Sequence, residues 1–559
     1  MGPGLALSDR TRSRCSSIDA NPSREPVLLD CKAGFLEYPA RTIDVRKWLD
    51  RVRRARYKVA MEPRSSLDFQ SCYRAVTARD ARFDGLFFTA VKTTGIYCRS
   101  VCPARTPKES SCHFFDTAAA AERAGFRPCL RCRPELAPGR PDFATGLAQA
   151  ILRRLEAGAL DHGSVETLAR EIGLSSRQLR RLLLDHFGVT PIEVAQTQRL
   201  LFAKKLLHET GLPMVQVALA SGFQSLRRFN AIFKLRYGLT PSMLRRQVGG
   251  IALNEEEIRL RLSYRAPFAW SAMLEYLRVR ATPGIECADA SSYSRTVDLG
   301  SSETPQRGWL RIRQIPNAHH IEVELPGALA SALMPITHRL RALFDLDAEP
   351  QRIAQHLGAD VALRARLLSV PGLRVLGAWD PFELAVRAVL GQQVSVAGAT
   401  TLAGRLAERF GAAITTPISS LNRLAPQAET LASIPVEVLA SIGLPKARAR
   451  TLQGLARFTV DGGFQRTSRG ATLDDMVLAL SSIEGIGAWT AHYVAMRALR
   501  HPDAFPAGDL GLRKAAASLD GDILPVTQRA LEARAEQWRP WRAYAAAYLW
   551  NSLRKVPEK

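Results

Sequence analysis

A chain of 559 residues exceeds what one hydrophobic core supports and divides into three or four domains. Its net charge of +24 favours a polyanionic partner, nucleic acid first, although charge alone would also suit a basic ribosomal or membrane-surface protein. Hydrophobic residues at 46% exclude a disordered basic tail, and without an apolar run long enough to span a bilayer no membrane partner is expected.

Residues 1–62 mix Ser, Arg, Pro and Asp with little periodicity. They read as a poorly ordered extension, with Arg46–Tyr57 a short basic helix at most and Met61 a second candidate start. No secretory signal is expected, because the first residues lack a continuous apolar core. Leu86–Val91 reads as a strand. It leads into Cys98-Arg-Ser-Val-Cys102 and, after a short alanine-rich helix over Thr117–Ala124, Cys129-Leu-Arg-Cys132. Two close cysteine pairs converge into a tetrahedral four-thiolate site, which is what zinc prefers. Such a site either only holds a small domain together or carries chemistry. The other cysteines, Cys15, Cys31, Cys72, Cys112 and Cys287, are scattered, which argues against a disulfide scaffold and fits a reducing compartment.

The flanks Thr93-Thr94-Gly95-Ile96-Tyr97-Cys98-Arg99 and Gly125-Phe126-Arg127-Pro128-Cys129 favour the second. From about Phe69 to Pro134 the chain resembles the amino-terminal domain of the Ada family of methylated-DNA response proteins. The resemblance implies a zinc domain over residues 63–135, with one Zn2+ on Cys98, Cys102, Cys129 and Cys132. It also implies that Cys98 accepts a methyl group from a DNA phosphotriester, and that Thr94, Arg105 and Arg127 touch the DNA backbone. Where the family often has an arginine after the second cysteine, this chain has Pro103. The chemistry is consistent: zinc removes the thiol proton, and the thiolate is the nucleophile. Alkylation removes one negative charge from the cluster, so affinity for a phosphate backbone should rise.

The breaker-rich run from Pro134 to Pro141 reads as a linker, and residues 142–247 as an all-α domain with an internal repeat. Thr167-Leu-Ala169-Arg-Glu-Ile-Gly173-Leu-Ser175-Ser176 recurs as Gln216-Val-Ala218-Leu-Ala-Ser-Gly222-Phe-Gln224-Ser225. Ala, then Gly four residues on, then a polar-started helix is the helix-turn-helix pattern. Two copies resemble the AraC-type tandem domain, whose second helices enter successive major grooves. Ser176, Arg177 and Arg180 on the first, and Ser225, Arg227, Arg228 and Asn230 on the second, are the candidate contacts. Such arginines also serve merely to meet phosphates.

After a second linker, residues 247–256, the texture changes. Ile258-Arg-Leu260-Arg-Leu262, Leu310-Arg-Ile312-Arg and Ile321-Glu-Val323-Glu-Leu325 alternate like half-buried strands, predicting a small α/β domain over residues 253–344. Pro267-Phe268-Ala-Trp270-Ser-Ala-Met273-Leu274-Glu-Tyr276-Leu277 resembles the start of the AlkA-type alkylated-base glycosylases. Residues 350–559 return to a helical pattern. Ile483-Glu-Gly485-Ile486-Gly487-Ala-Trp489-Thr490-Ala491 matches the helix-hairpin-helix signature of base-excision glycosylases, whose two glycines let backbone N–H groups point at one DNA phosphate. Phe505-Pro506-Ala-Gly508-Asp509-Leu510 resembles that family's catalytic loop, and Glu536-Gln-Trp538-Arg539-Pro540-Trp541-Arg542-Ala-Tyr544 its carboxy-terminal helix.

The resemblance implies extrusion of the target base, with Gln393 as the inserted wedge where the best-known relative has leucine. It implies a base pocket of Tyr276, Trp489, Tyr493 and Trp550, whose ring faces would attract a cationic alkylated purine. Asn551 stands where that relative has tyrosine. Asp509 would stabilise the oxocarbenium-like sugar or activate water, although Gly-Asp before an apolar run is also a good helix cap. Trp489 replaces the Schiff-base lysine of lyase-competent relatives, so a monofunctional glycosylase is expected. No cysteine follows Cys287, which excludes their iron–sulfur cluster. Ada's second acceptor motif, Pro-Cys-His-Arg, is absent, so repair of O6-alkylguanine is not expected.

The expected architecture is a multidomain α+β chain: a small zinc-bound domain, an all-α tandem helix-turn-helix, a small α/β domain and an all-α helix-hairpin-helix glycosylase domain. The resemblances imply a bacterial, cytoplasmic, nucleoid-associated activator and repair enzyme. Its partners would be double-stranded DNA, at promoters and at alkylated sites, and RNA polymerase. The competing expectation is a transcriptional regulator with structural zinc and a non-catalytic glycosylase-like half.

Overall fold

A computed structural model describes residues 68–139, 147–156, 158–161, 163–248, 257–299, 305–467 and 472–553. The readings of residues 1–62, Met61, Cys15, Cys31 and linker residues 140–141 and 249–256 fall outside the described residues. The described residues belong to one compact unit, Val59–Lys559. Among them no helix is long and apolar enough to cross a membrane.

The first part is a small sheet of β1 (Phe88–Val91), β2 (Ile96–Cys98), β3 (Cys112–Phe115) and β4 (Arg127–Pro128), in the order β3-β1-β2-β4. β1 runs antiparallel to both β2 and β3, but β2 and β4 are parallel, with Tyr97 opposite Pro128. That register explains why the two cysteine pairs meet. Cys98 follows Tyr97, Cys129 follows Pro128, and the Cys129 N–H donates to the Tyr97 carbonyl at 2.9 Å. Phe87 and Phe114 cover one face together with Cys72 and Cys112. The alanine-rich helix Ala118–Arg123, capped by Thr117, packs with Phe88, Tyr97 and Phe115 on the other.

Both helix-turn-helix units form as the repeat predicts. Val165–Glu171 turns at Gly173 (φ +73) into Ser176–Phe187, and Met214–Ala220 turns at Gly222 (φ +76) into Leu226–Tyr237. Between them runs one long helix, Pro191–Glu209, opened by a capping box of Thr190 and Glu193. The small domain that follows is a five-stranded sheet, β5 (Glu257–Ser263), β6 (Glu286–Ala288), β7 (Ser292–Asp298), β8 (Arg307–Gln314) and β9 (His320–Pro326), ordered β5-β9-β8-β7-β6 and antiparallel throughout. From Pro350 to Ser552 the described chain is helical.

The cores do not follow the sequence boundaries. One core joins the zinc sheet to the first helix-turn-helix through Tyr97, Phe115, Ile151, Leu179 and Leu183. A second joins the second helix-turn-helix to the five-stranded sheet and the last helices, through Phe229, Phe233, Ile312, Phe344 and Trp538. Helix Pro191–Glu209 feeds both, with Val194 and Leu201 in the first and Leu200, Ala203, Leu206 and Leu207 in the second. A third core, built on Leu390, Leu452, Leu480 and Ile486, lies wholly within the glycosylase-like half.

The long helix is also pinned by charge. Lys204, fully buried, donates to the Cys129 carbonyl at 3.1 Å and to Glu135 Oε2 at 2.7 Å. Burial pushes the Glu135 carboxyl up, but Lys204 and Arg133 outweigh it and hold the group below its usual range. Removing one partner strands a buried charge. Lys204→Ala is expected to cost about 3–5 kcal/mol in urea unfolding. A carboxyl held low stabilises fully above its unfolded value, near 4.3, and the contribution is lost as pH falls through the folded value. The wild type should therefore lose more stability than the variant on acidification through that window.

Candidate metal centre and nucleic-acid interfaces

The four sulfurs of Cys98, Cys102, Cys129 and Cys132 all lie within 4.8 Å of one another. Tetrahedral Zn–S bonds of about 2.3 Å put sulfurs roughly 3.8 Å apart, so the donor set fits one zinc ion. Hydrogen bonding to Cys102, Cys129 and Cys132, with burial behind it, pushes the metal-free Cys98 thiol far up. Bonds from Cys102 and Cys132 pull Cys129 far down. Sulfurs this close cannot share protons evenly, and a dication removes the conflict. Cys129 and Cys132 are buried, whereas Cys98 and Cys102 are half-exposed. Backbone N–H groups of Arg131 and Cys132 face Cys129 Sγ at 3.3 and 3.5 Å, and that of Arg99 faces Cys132 Sγ at 3.4 Å. This is a four-cysteine zinc site.

Arg99 reaches further. Its guanidinium donates to the Cys132 carbonyl at 3.2 Å and pairs with the Asp84 carboxylate, Nε to Oδ1 at 2.8 Å. The Asp84 carbonyl in turn accepts two bonds from buried Arg265, at 3.1 and 2.8 Å, and Arg265 also holds the carbonyls of Gly139 and Asp347. Thr94, Arg105 and Arg127 are all exposed, as backbone contacts require. Arg127 lies beside the end of the second recognition helix, where a Cβ on Gly238 would stand 3.1 Å from its Nη1.

On the first recognition helix, Arg177 is exposed, Ser176 half-exposed, and Arg180 holds Glu166 at 3.1 Å. On the second, Arg227, Arg228 and Asn230 are exposed. Ser225 is the cap of this helix, its side chain accepting from the Arg228 N–H at 3.4 Å. Its role in the fold is therefore local, whatever else it meets.

The hairpin lies between helices Leu473–Ser481 and Ala488–Arg497. Its two glycines differ. Gly485 has φ +84, and a Cβ there would fall 2.0 Å from Thr451 Oγ1. Gly487 caps the second helix at φ −87, and a Cβ there would meet nothing within 4 Å. Gln393 is exposed and, although not glycine, sits at φ +56. Its neighbour Gln392 is held on three sides: its backbone carbonyl accepts from Arg448 at 2.7 Å, and its amide donates to the Gly485 carbonyl at 3.0 Å and to Thr490 Oγ1 at 3.1 Å.

Asp509 is half-exposed and holds the capping position. As the cap of helix Leu510–Leu519 it accepts from the Leu512 N–H at 2.9 Å on Oδ1. The same oxygen accepts from the Trp550 indole at 2.9 Å, and Oδ2 from the Trp489 indole at 3.0 Å. Three N–H donors fix the orientation of the carboxylate. Trp489 stacks on Tyr493 with centroids 5.5 Å apart, Tyr493 meets Trp550 edge-on, and the Tyr276 and Tyr493 hydroxyls are 3.2 Å apart. The four rings read from sequence are thus together.

Two arginines absent from that reading stand among them. Arg280 lies 3.9 Å over the Tyr276 ring, and Arg497 bonds both tyrosine hydroxyls and lies 5.0 Å from the Tyr276 centroid. Burial alone would push the Tyr276 hydroxyl up, but Arg497 and Arg280 pull it down to about 7. Tyr493 is pushed up to about 12 by burial and by Tyr276. One face of Tyr276 is therefore already taken by the chain's own guanidinium. Each arginine follows its tyrosine by four residues: Arg497 shares helix Ala488–Arg497 with Tyr493, whereas Arg280 lies in the turn just past helix Trp270–Arg278.

Four family models match the chain in series: the metal binding domain of Ada at residues 71–135, a helix-turn-helix domain at 168–247, the AlkA N-terminal domain at 259–380, and an HhH-GPD superfamily base excision DNA repair protein at 386–541. A probable bifunctional transcriptional activator/DNA repair enzyme AlkA of Mycobacterium tuberculosis is 40% identical over 492 residues, 87% of this chain and 97% of that relative. The chain belongs to this AlkA family of bifunctional activator and repair enzymes. DNA-3-methyladenine glycosylase 2 of Escherichia coli is 31% identical over 300 residues, covering 53% of this AlkA-family chain and 99% of its own. Bifunctional transcriptional activator/DNA repair enzyme Ada of Escherichia coli is 39% identical over 119 residues, 21% of this chain and 33% of its own. The matches make this AlkA-family member a DNA-binding protein whose later half is a DNA glycosylase domain.

The two hairpin glycines separate space from conformation. Gly485→Ala should lower stability by about 1–3 kcal/mol, through positive φ and the clash with Thr451. Gly487→Ala should change it by no more than about 0.5 kcal/mol. Thermal unfolding of the two variants checks this.

Proposed function

We propose that this chain is an alkylation-damage response protein. It transfers a methyl group from DNA methylphosphotriesters to its own Cys98. It then activates repair genes through its helix-turn-helix pair, and it hydrolyses the N-glycosidic bond of alkylated bases such as 3-methyladenine. One observation carries this reading: a half-exposed Cys98 in a four-sulfur site and a half-exposed, indole-clamped Asp509 behind a glycine hairpin occur in one chain.

Zinc on the four sulfurs would keep them as thiolates at neutral pH. Cys98 Sγ attacks the ester methyl carbon. The S–C bond forms, the C–O bond breaks, and the phosphate oxygen leaves with the electron pair as a restored diester. Thr94, Arg105 and Arg127 are exposed to hold the backbone during the attack. Methylation then leaves the cluster one negative charge poorer, and a DNA backbone is bound more tightly because phosphate contacts dominate affinity. Ser176, Arg177, Arg180, Ser225, Arg227, Arg228 and Asn230 supply promoter contacts, and RNA polymerase is the partner the activator role implies.

In the glycosylase half, Gly487 leaves open space at the start of its helix, where a phosphate can approach the N–H groups. Gln393 fills the gap left by the extruded base, and the base enters among Tyr276, Trp489, Tyr493 and Trp550. As the C1′–N bond breaks the base takes the electron pair, and Asp509 stabilises the sugar cation or takes the proton of the attacking water. No side chain at the Trp489 position forms a Schiff base, so the product is an abasic site with an unbroken strand.

The two activities are tested apart. After incubation with methylphosphotriester DNA, mass spectrometry of the intact protein and its peptides should place one methyl on Cys98; its absence would end the sensor reading. Asp509→Asn keeps a good helix cap, so stability should hold while base excision falls by about 10²–10⁴-fold. Undiminished excision would leave Asp509 a cap alone, as in a regulator whose glycosylase half only grips DNA.

A further inference from the structure

The hydrogen bonds around Gln392 connect two devices that a glycosylase uses separately, the wedge and the phosphate-gripping hairpin. We infer that Gln392 is a positioning residue that holds the Gln393 wedge in register with the hairpin, with Arg448 as its anchor. The inference rests on the reading of Gln393 as the wedge.

A non-glycine residue in the left-handed region persists only where its surroundings hold it there. Gln393, at φ +56, carries its side chain into solvent and draws no described hydrogen bond of its own that would fix it. The hold comes from the preceding residue. The Gln392 N–H donates to the Val389 carbonyl at 3.3 Å, closing the end of helix Pro381–Leu390. Its carbonyl accepts from Arg448, and its amide reaches across to Gly485 and Thr490. Gly485 is itself confined by Thr451.

Arg448 and Thr451 lie three residues apart on helix Lys446–Val460 and so share one face. One turn of that helix therefore braces the wedge loop through Arg448 and the hairpin through Thr451, and Gln392 closes the triangle. The mechanical consequence is specific. A hairpin that grips a phosphate fixes the backbone, and the bridge then fixes where the wedge enters the stack relative to that grip. Loosening the bridge should not disturb Asp509, whose three donors come from Leu512, Trp489 and Trp550. It should slow extrusion and leave bond cleavage alone.

Gln392→Glu keeps the side-chain shape and removes both donors. Arg448→Met removes the anchor on the other side. Each full-length variant is compared with wild type on two duplexes, one with the alkylated purine paired and one with it opposite an abasic site, where little needs to be displaced. Extrusion is followed by the fluorescence of a 2-aminopurine next to the lesion, and excision by single-turnover rates. The expected result is a roughly ten- to hundredfold loss of excision and a matching loss of the fluorescence rise on the paired duplex. Rates on the unpaired lesion should stay near wild type, with an unchanged melting temperature. Wild-type extrusion on the paired duplex would overturn the inference. So would an equal loss on both duplexes with a lowered melting temperature, because Gln392 would then be structural only. Gln393→Ala is run beside them: undiminished extrusion there would overturn the wedge reading itself, whatever Gln392 does.

Discussion

Four sulfur atoms packed within 4.8 Å of one another are the constraint on which the amino-terminal architecture depends. Their convergence is built by the parallel pairing of β2 with β4, and what surrounds them is bound to the rest of the molecule. On one side the Cys129 carbonyl is held by Lys204 of the long helix that links the two helix-turn-helix units. On the other, Arg99 bridges Cys132 to Asp84, and Asp84 is gripped by Arg265 from the edge of the five-stranded sheet region. A change at the cluster is therefore a change beside two buried joints, not at the tip of an independent module.

The same lesson holds for packing. Helix Pro191–Glu209 carries side chains into two cores, one shared with the zinc sheet and one shared with the glycosylase half. A domain boundary drawn where the sequence texture changes marks where functions change, and not where burial stops. Apolar surface left by a small helical repeat is covered by whatever element lies beside it, and here that element belongs to a neighbouring function.

In the glycosylase half, capping leaves Asp509 half-exposed and able to hold two indoles at once. The helix N–H and two indoles fix the orientation of that carboxylate. The aromatic cage is less open to a cation than ring count suggests, since Arg280 and Arg497 already use the tyrosines. Arg497 bonds both hydroxyls, yet two hydroxyls 3.2 Å apart do not ionise together: the arginines favour the charged form of Tyr276, and burial together with Tyr276 pushes Tyr493 up.

Much of this was legible in the chain itself, because some constraints are local. Cys-x₃-Cys with Cys-x₂-Cys, the repeated Ala-to-Gly spacing, Gly485 and Gly487, and Gly508-Asp509 each encode a turn or cap whose geometry needs only a few neighbouring residues. Alternation marked β5, β8 and β9 for the same reason. It did not mark β7, where Ser292, Ser294, Arg295 and Thr296 are buried because Arg295 finds Glu383 and the Trp379 ring across the fold. Nor did it show Arg265, Lys204 or the Gln392 bridge, whose partners lie 56 or more positions away and are met only once the chain has folded. Local spacing therefore determined which chemistry this protein carries; long-range burial of charge decided how those chemistries are joined.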